Sequence, residues 1–134
     1  MDNETRTLIA KKFERAQEDL AVAESLKRQG SYRQSISRSY YAVFAAASAA
    51  LLTQDITRKK HSGVESAFNQ YIANPGLVKR KLAALYRDTY EARQEADYAD
   101  LVEFSEMQAD EVLSDAQEFV ASIQQFLREQ GAIK

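Results

Sequence analysis

Apolar residues recur at three- and four-residue steps through most of the chain, the spacing of one helix face, and no stretch alternates as a strand would. Ile9, Phe13, Ala16, Leu20, Ala23 and Leu26 predict a first helix from about residue 3 to 29, with Gly30 as its left-handed stop. Ser31 and Gln34 have the Ser-x-x-Gln spacing of a capping box, so a second helix is expected to begin there. It carries Ile36, Tyr40, Val43, Phe44, Ala47 and Leu51, with alanine or serine filling the gaps between them. A helix apolar or small nearly all round belongs in the middle of a bundle.

After Leu52 a polar connection leads to a second capping-box spacing, Ser62 and Glu65, which predicts a short helix burying Val64, Phe68, Tyr71 and Ile72. This places His61 just before that helix. Asn74-Pro75-Gly76 ends it, and a fourth helix reads from about residue 77 to 97 along Leu82, Tyr86, Tyr90, Arg93 and Asp97. A last helix, about 101 to 130, carries Phe104, Met107, Ala109, Val112, Ala116, Phe119, Ile123 and Phe126 before Gly131. The expected fold is therefore all-α, one domain over residues 1–134. It is an antiparallel bundle of four long helices plus one short crossover helix.

Several polar residues interrupt the apolar faces: Arg38 and the Tyr40–Tyr41 pair on the central helix, His61 at the crossover, and Arg93 with Asp97 on the fourth helix. Such groups are tolerated inside a bundle only with partners. An arginine fork suits a phosphate, and histidine exchanges protons near neutral pH. Arg38, His61 and Arg93 are thus the candidate catalytic residues for RNA cleavage, the histidine moving a proton and an arginine stabilising the charged phosphorane. Tyr41, Asp97, Tyr98 and Lys60 are the candidate ligand-binding residues, the tyrosines for orientation or base stacking and the lysine for a phosphate. A structural reading of the same residues is open: Arg38 and Arg93 as buried arginines paired with Asp97 and tyrosine hydroxyls, and His61 as an exposed residue near a cap.

Composition narrows the chemistry. There is no cysteine and one histidine, so disulfides and thiolate chemistry are out, no metal site is expected and no cofactor is implied. The most apolar run, Tyr40 to Leu52, is about a third too short to cross a bilayer, and the acidic start Met1-Asp2-Asn3-Glu4 does not read as a signal peptide; a cytoplasmic protein with no membrane association is expected. Net charge is −2, but residues 1–90 hold 15 Lys/Arg against 9 Asp/Glu, whereas residues 91–134 hold 3 against 11. In an antiparallel bundle the two halves lie side by side and compensate. Arg58-Lys59-Lys60 and Lys79-Arg80-Lys81 are short enough to be solvated turns unless they merge in space with His61.

The runs Ser37-Arg38-Ser39-Tyr40-Tyr41-Ala42-Val43-Phe44, Lys60-His61-Ser62-Gly63-Val64 and Arg93 to Ala96-Asp97-Tyr98 resemble the HEPN family (higher eukaryotes and prokaryotes nucleotide-binding domain), in its small stand-alone prokaryotic branch. The resemblance spans nearly the whole chain. It implies a helical bundle, frequently a homodimer, that acts on a nucleotide or RNA and pairs with a minimal nucleotidyltransferase in toxin–antitoxin fashion. Many members are metal-independent ribonucleases with an Arg-x4–6-His motif late in the domain, shared across a dimer. Here no histidine follows Arg87 or Arg93, and Arg58 stands too close to His61. Cleavage would require Arg93 and His61 to meet in space instead. The alternative is a non-catalytic helical protein that regulates a nucleotidyltransferase partner.

Overall fold

A computed structural model describes residues 1–134. It is all-helical: α1 (Asn3–Arg28), α2 (Tyr32–Leu52), α3 (His61–Phe68), α4 (Lys81–Tyr98) and α5 (Glu106–Glu129). α3 runs on as a π-helical turn, Asn69–Ala73, closed by the Asn74 N–H on the Asn69 carbonyl at 2.8 Å. The four long helices and the short crossover helix are those expected.

α2 is the centre of the bundle and packs against α1, α5, α4 and α3. Ala42, Ala46, Ala47, Ala49 and Ala50 are fully buried, and their lack of bulk lets neighbouring helices approach α2 on several sides. The larger side chains fill what the alanines leave. Phe68, Tyr86 and Phe119 meet edge-on or tilted at 5.2–5.8 Å between ring centres, joining α3, α4 and α5.

The turns follow the chain's punctuation. Gly30 has φ +80°, and the Ser31 N–H reaches back to the Leu26 carbonyl at 2.9 Å, so the left-handed residue reverses the chain and sets α2 antiparallel to α1. Gly76 has φ +85° and ends the crossover after Pro75.

The helix starts differ from expectation in four places. Ser31 makes no side-chain cap: its ψ of 68° lies outside the extended region that aims a serine oxygen at the next turn, and α2 begins on backbone bonds alone. α3 starts at His61 rather than at Ser62, with Lys60 as N-cap and no side-chain cap, so Glu65 is free to turn inward. α5 begins at Glu106. Ser105 and Gln108 form a full capping box there, with Ser105 Oγ accepting from the Gln108 N–H at 3.2 Å and Gln108 Oε1 from the Ser105 N–H at 2.9 Å.

Residues 77–80 are irregular, so α4 starts four residues later than the periodicity suggests. Met107, expected inside, is 78% exposed, because the first turn of α5 faces the bundle through Ala109, and Met107, two residues earlier, points the other way. Asp19, a charged residue of α1, is buried, for a reason that lies on α2.

Candidate functional site

Arg38 explains Asp19. Its Nη1 donates to Asp19 Oδ1 at 3.2 Å, an α1–α2 ion pair in which the acid is enclosed and the arginine is about half exposed. Burial raises the Asp19 carboxyl above its ordinary range, with Arg38 opposing the shift. Arg38 therefore has its nearest partner on α1, while its side chain lines an open groove of about 710 Å³ together with Arg33, Ser37, Tyr41 and Asp97. A second groove, about 730 Å³, lies on the other side of Tyr41 and Arg38, where Lys11, Lys12 and Arg15 of α1 form its wall.

His61 and Arg93 come together against α2. The His61 ring stacks on Phe44 at 4.3 Å and lies 5.7 Å from the Tyr40 ring and 5.8 Å from the Tyr41 ring. Its Nδ1 is 2.8 Å from the Tyr40 hydroxyl. The Arg93 guanidinium carbon sits 5.4 Å over Tyr40, 5.5 Å over Tyr41 and 5.9 Å over Tyr98, so three rings hold it by cation–π attraction. Arg93 Nη2 donates to the Tyr41 hydroxyl at 3.2 Å. Its Nε is 2.8 Å from Asp97 Oδ2, an ion pair in which the N–H is not aligned for a hydrogen bond. Ser37 Oγ donates to the other Asp97 oxygen, which ties the base of α4's last turn to α2.

The electrostatics follow from this packing. Burial, and after it the Arg93 cation, lowers the His61 pKa below its ordinary value, so the ring is neutral at pH 7. As the first residue of α3 it also stands at the positive end of that helix, which acts in the same direction. Burial pushes the Tyr40 phenol far up, so it stays protonated as a hydrogen-bonding group.

Of the residues singled out in the sequence, His61, Arg93, Tyr41, Asp97 and Tyr98 fall in one cluster. Tyr98 forms its outer edge, 69% exposed. Lys60 is exposed next to His61, at the N-cap of α3 and without an ion pair. Lys79, Arg80 and Lys81 stand on the crossover and the start of α4, where Lys81 pairs with Glu118 of α5. No group of three His, Asp or Glu side chains comes together as a metal site would need.

Three contributors were not legible beforehand. Phe44 reads as core from its spacing, yet it is the shelf under His61. Glu65 is 4% exposed and receives Arg87 Nη2 at 2.6 Å; burial raises its carboxyl and Arg87 opposes the shift. Arg33 donates to the Ala96, Ala99 and Val102 carbonyls and lies 5.1 Å over Phe104, clasping the turn that carries Asp97 and Tyr98. Only the inward i,i+4 relation of His61 and Glu65 on α3 could have hinted at the second of these.

The chain is similar to several known proteins. "Putative toxin MJ0605" of Methanocaldococcus jannaschii is 33% identical over 129 residues, which cover 96% of each chain. A "UPF0332 protein" of Thermotoga maritima is 33% identical over 127 residues, 95% of this chain and 96% of its own. "Putative toxin MJ0142" of M. jannaschii is 29% identical over 126 residues, 94% of this chain and 86% of its own. The family model for the HEPN domain matches residues 9–126, a span that takes in α2, the crossover and the whole His61–Arg93 cluster, and the chain belongs to the HEPN family.

Proposed function

We propose that this protein is the toxin-like HEPN member of a toxin–antitoxin-like pair, that it acts on RNA or a nucleotide through phosphate contacts at the Arg93–His61 cluster, and that its partner is a minimal nucleotidyltransferase. The observation that carries the reading is the approach of Arg93 of α4 and His61 of α3 to the same two rings, those of Tyr40 and Tyr41. A cationic fork, an imidazole and stacked phenols are the groups that phosphodiester recognition uses. The toxin names of the two M. jannaschii relatives support the same direction. A homodimer belongs to this reading through the family resemblance, and a cytoplasmic location through the composition of the sequence.

The test is incubation of the purified protein with total RNA and labelled tRNA in EDTA, beside His61→Ala and Arg93→Ala. Cleavage that both substitutions abolish would make the cluster a metal-independent ribonuclease site. Intact RNA from well-folded protein would sink cleavage and leave the second reading, a non-catalytic module regulating its partner. That reading has its own support: Arg93 is already engaged by Asp97 and Tyr41, as a residue fixing helix register would be. Light scattering of the purified protein at micromolar concentration reads the oligomer directly.

A further inference from the structure

The Tyr40 hydroxyl is enclosed in the core, and a buried O–H without an acceptor is costly. The one group within hydrogen-bond geometry of it is His61 Nδ1, at 2.8 Å. The neighbouring Tyr86 hydroxyl is also buried and lies close enough to Tyr40 for the two phenols to influence each other, but it is not aligned for a hydrogen bond with Tyr40 or any other residue. A phenol that keeps its proton must therefore donate to Nδ1, and a ring nitrogen that accepts carries no proton of its own. In a neutral imidazole the proton then sits on Nε2. That nitrogen has no partner in the protein and is not enclosed.

We infer that Tyr40 is a positioning residue that locks His61 in the Nε2–H tautomer, and that His61 and Arg93 together form a donor-only site for a phosphate oxyanion. The phosphate assignment rests on the reading of this cluster given above; the tautomer does not. The consequence is chemical. A neutral His61 of this tautomer has its Nδ1 lone pair occupied and an N–H at Nε2, so it has nothing with which to take a proton from a 2′-hydroxyl. It donates to a phosphoryl oxygen, beside an arginine that likewise only donates. Both ligand contacts thus offer only protons to an anion, and the Asp97 carboxylate on Arg93 Nε is the acceptor that such an anion would compete with. The groups facing the ring are Tyr40 and Tyr41 of α2 and Arg93 of α4, with Glu65 one turn along α3 and Lys60 beside it; none but Glu65 is an acid, and Glu65 is taken by Arg87.

His61 is the chain's one histidine, so its ring nitrogens are read without ambiguity. The experiment is a long-range proton–nitrogen NMR spectrum of protein labelled with ¹⁵N-histidine, at pH 8, with and without inorganic phosphate. The expected result is a protonated Nε2 and an unprotonated Nδ1, a shift at Nε2 on adding phosphate, and about tenfold weaker phosphate binding in Arg93→Gln. Tyr40→Phe, with its fold checked by melting temperature, should return a mixture of tautomers. A protonated Nδ1 in the wild-type protein, with Tyr40 then donating to Tyr86, would overturn the inference, as would a tautomer unchanged by Tyr40→Phe or an Nε2 signal that phosphate leaves unmoved. No RNA enters the measurement: a locked ring and a phosphate response in a protein that cleaves nothing keep this inference and remove ribonuclease activity, and cleavage with a free ring does the reverse.

Discussion

Arg93 and His61 lie against the same two rings, those of Tyr40 and Tyr41, although they come from opposite sides of the crossover. The plane of the guanidinium matters as much as its charge, since it covers three rings while sending Nη2 to the Tyr41 hydroxyl. Arg93→Lys should leave the fold intact and still lose about tenfold in phosphate affinity, because an ammonium has neither fork nor plane. Arg93→Ala should also destabilise by roughly 1–3 kcal/mol, read by urea denaturation, from the lost ring contacts and hydrogen bond. A lysine variant that binds phosphate as tightly as the wild-type protein would show that charge alone is used.

The lowered His61 pKa ties stability to pH. The unfolded chain takes up a proton on histidine near pH 6.5, whereas the folded protein resists until lower pH, so between those values the unfolded state binds more protons. This contribution to stability is complete above about pH 6.5 and is lost as pH falls toward the folded value. Melting temperatures recorded between pH 7.5 and pH 5 should fall more steeply for the wild-type protein than for His61→Gln. Parallel curves would mean that the ring is solvated as freely in the folded protein as in the unfolded chain.

Glu65 and Arg87 are an asymmetric pair, the acid enclosed and the arginine half in water. Arg87→Ala strands a buried carboxylate and should cost about 1–3 kcal/mol at pH 7. Glu65→Gln leaves Arg87 free to turn to solvent and should cost less. Because burial already raises the Glu65 carboxyl, the Arg87→Ala penalty should shrink when denaturation is repeated near pH 5, as the acid takes up its proton. Equal costs for the two substitutions would contradict the burial difference.

Two serines with the same spacing to a glutamine behave differently. Ser105→Ala removes a formed capping box and should lower stability by about 1 kcal/mol, roughly 3–5 °C in melting temperature for a chain of this size. Ser31→Ala removes no cap bond and should be near neutral. Calorimetry of both variants decides the matter.

The sequence by itself determined the helices and their order, because both rest on local physics: apolar residues at helical steps and the left-handed backbone that Gly30, Gly76 and Gly131 permit. The alanine-rich α2 could be read as the centre for a similar reason, since a helix without a polar face has only the interior to occupy. Where the reading failed, the deciding quantity was not local. Ser31 and Ser105 share a motif, yet ψ is 68° at one and 164° at the other, set by how the preceding turn delivers the chain. Arg38 and Arg93 were equal candidates as breaks in an apolar face. The rotation of α1 against α2 turned Arg38 toward Asp19, and the register of α4 against α2 and α3 laid Arg93 over the tyrosines beside His61. Spacing along one helix fixes which residues share its face, but the rotation and axial shift between helices come from side-chain packing over the whole bundle. The partners of Asp19, Glu65 and Tyr40 were therefore decided only by the tertiary structure.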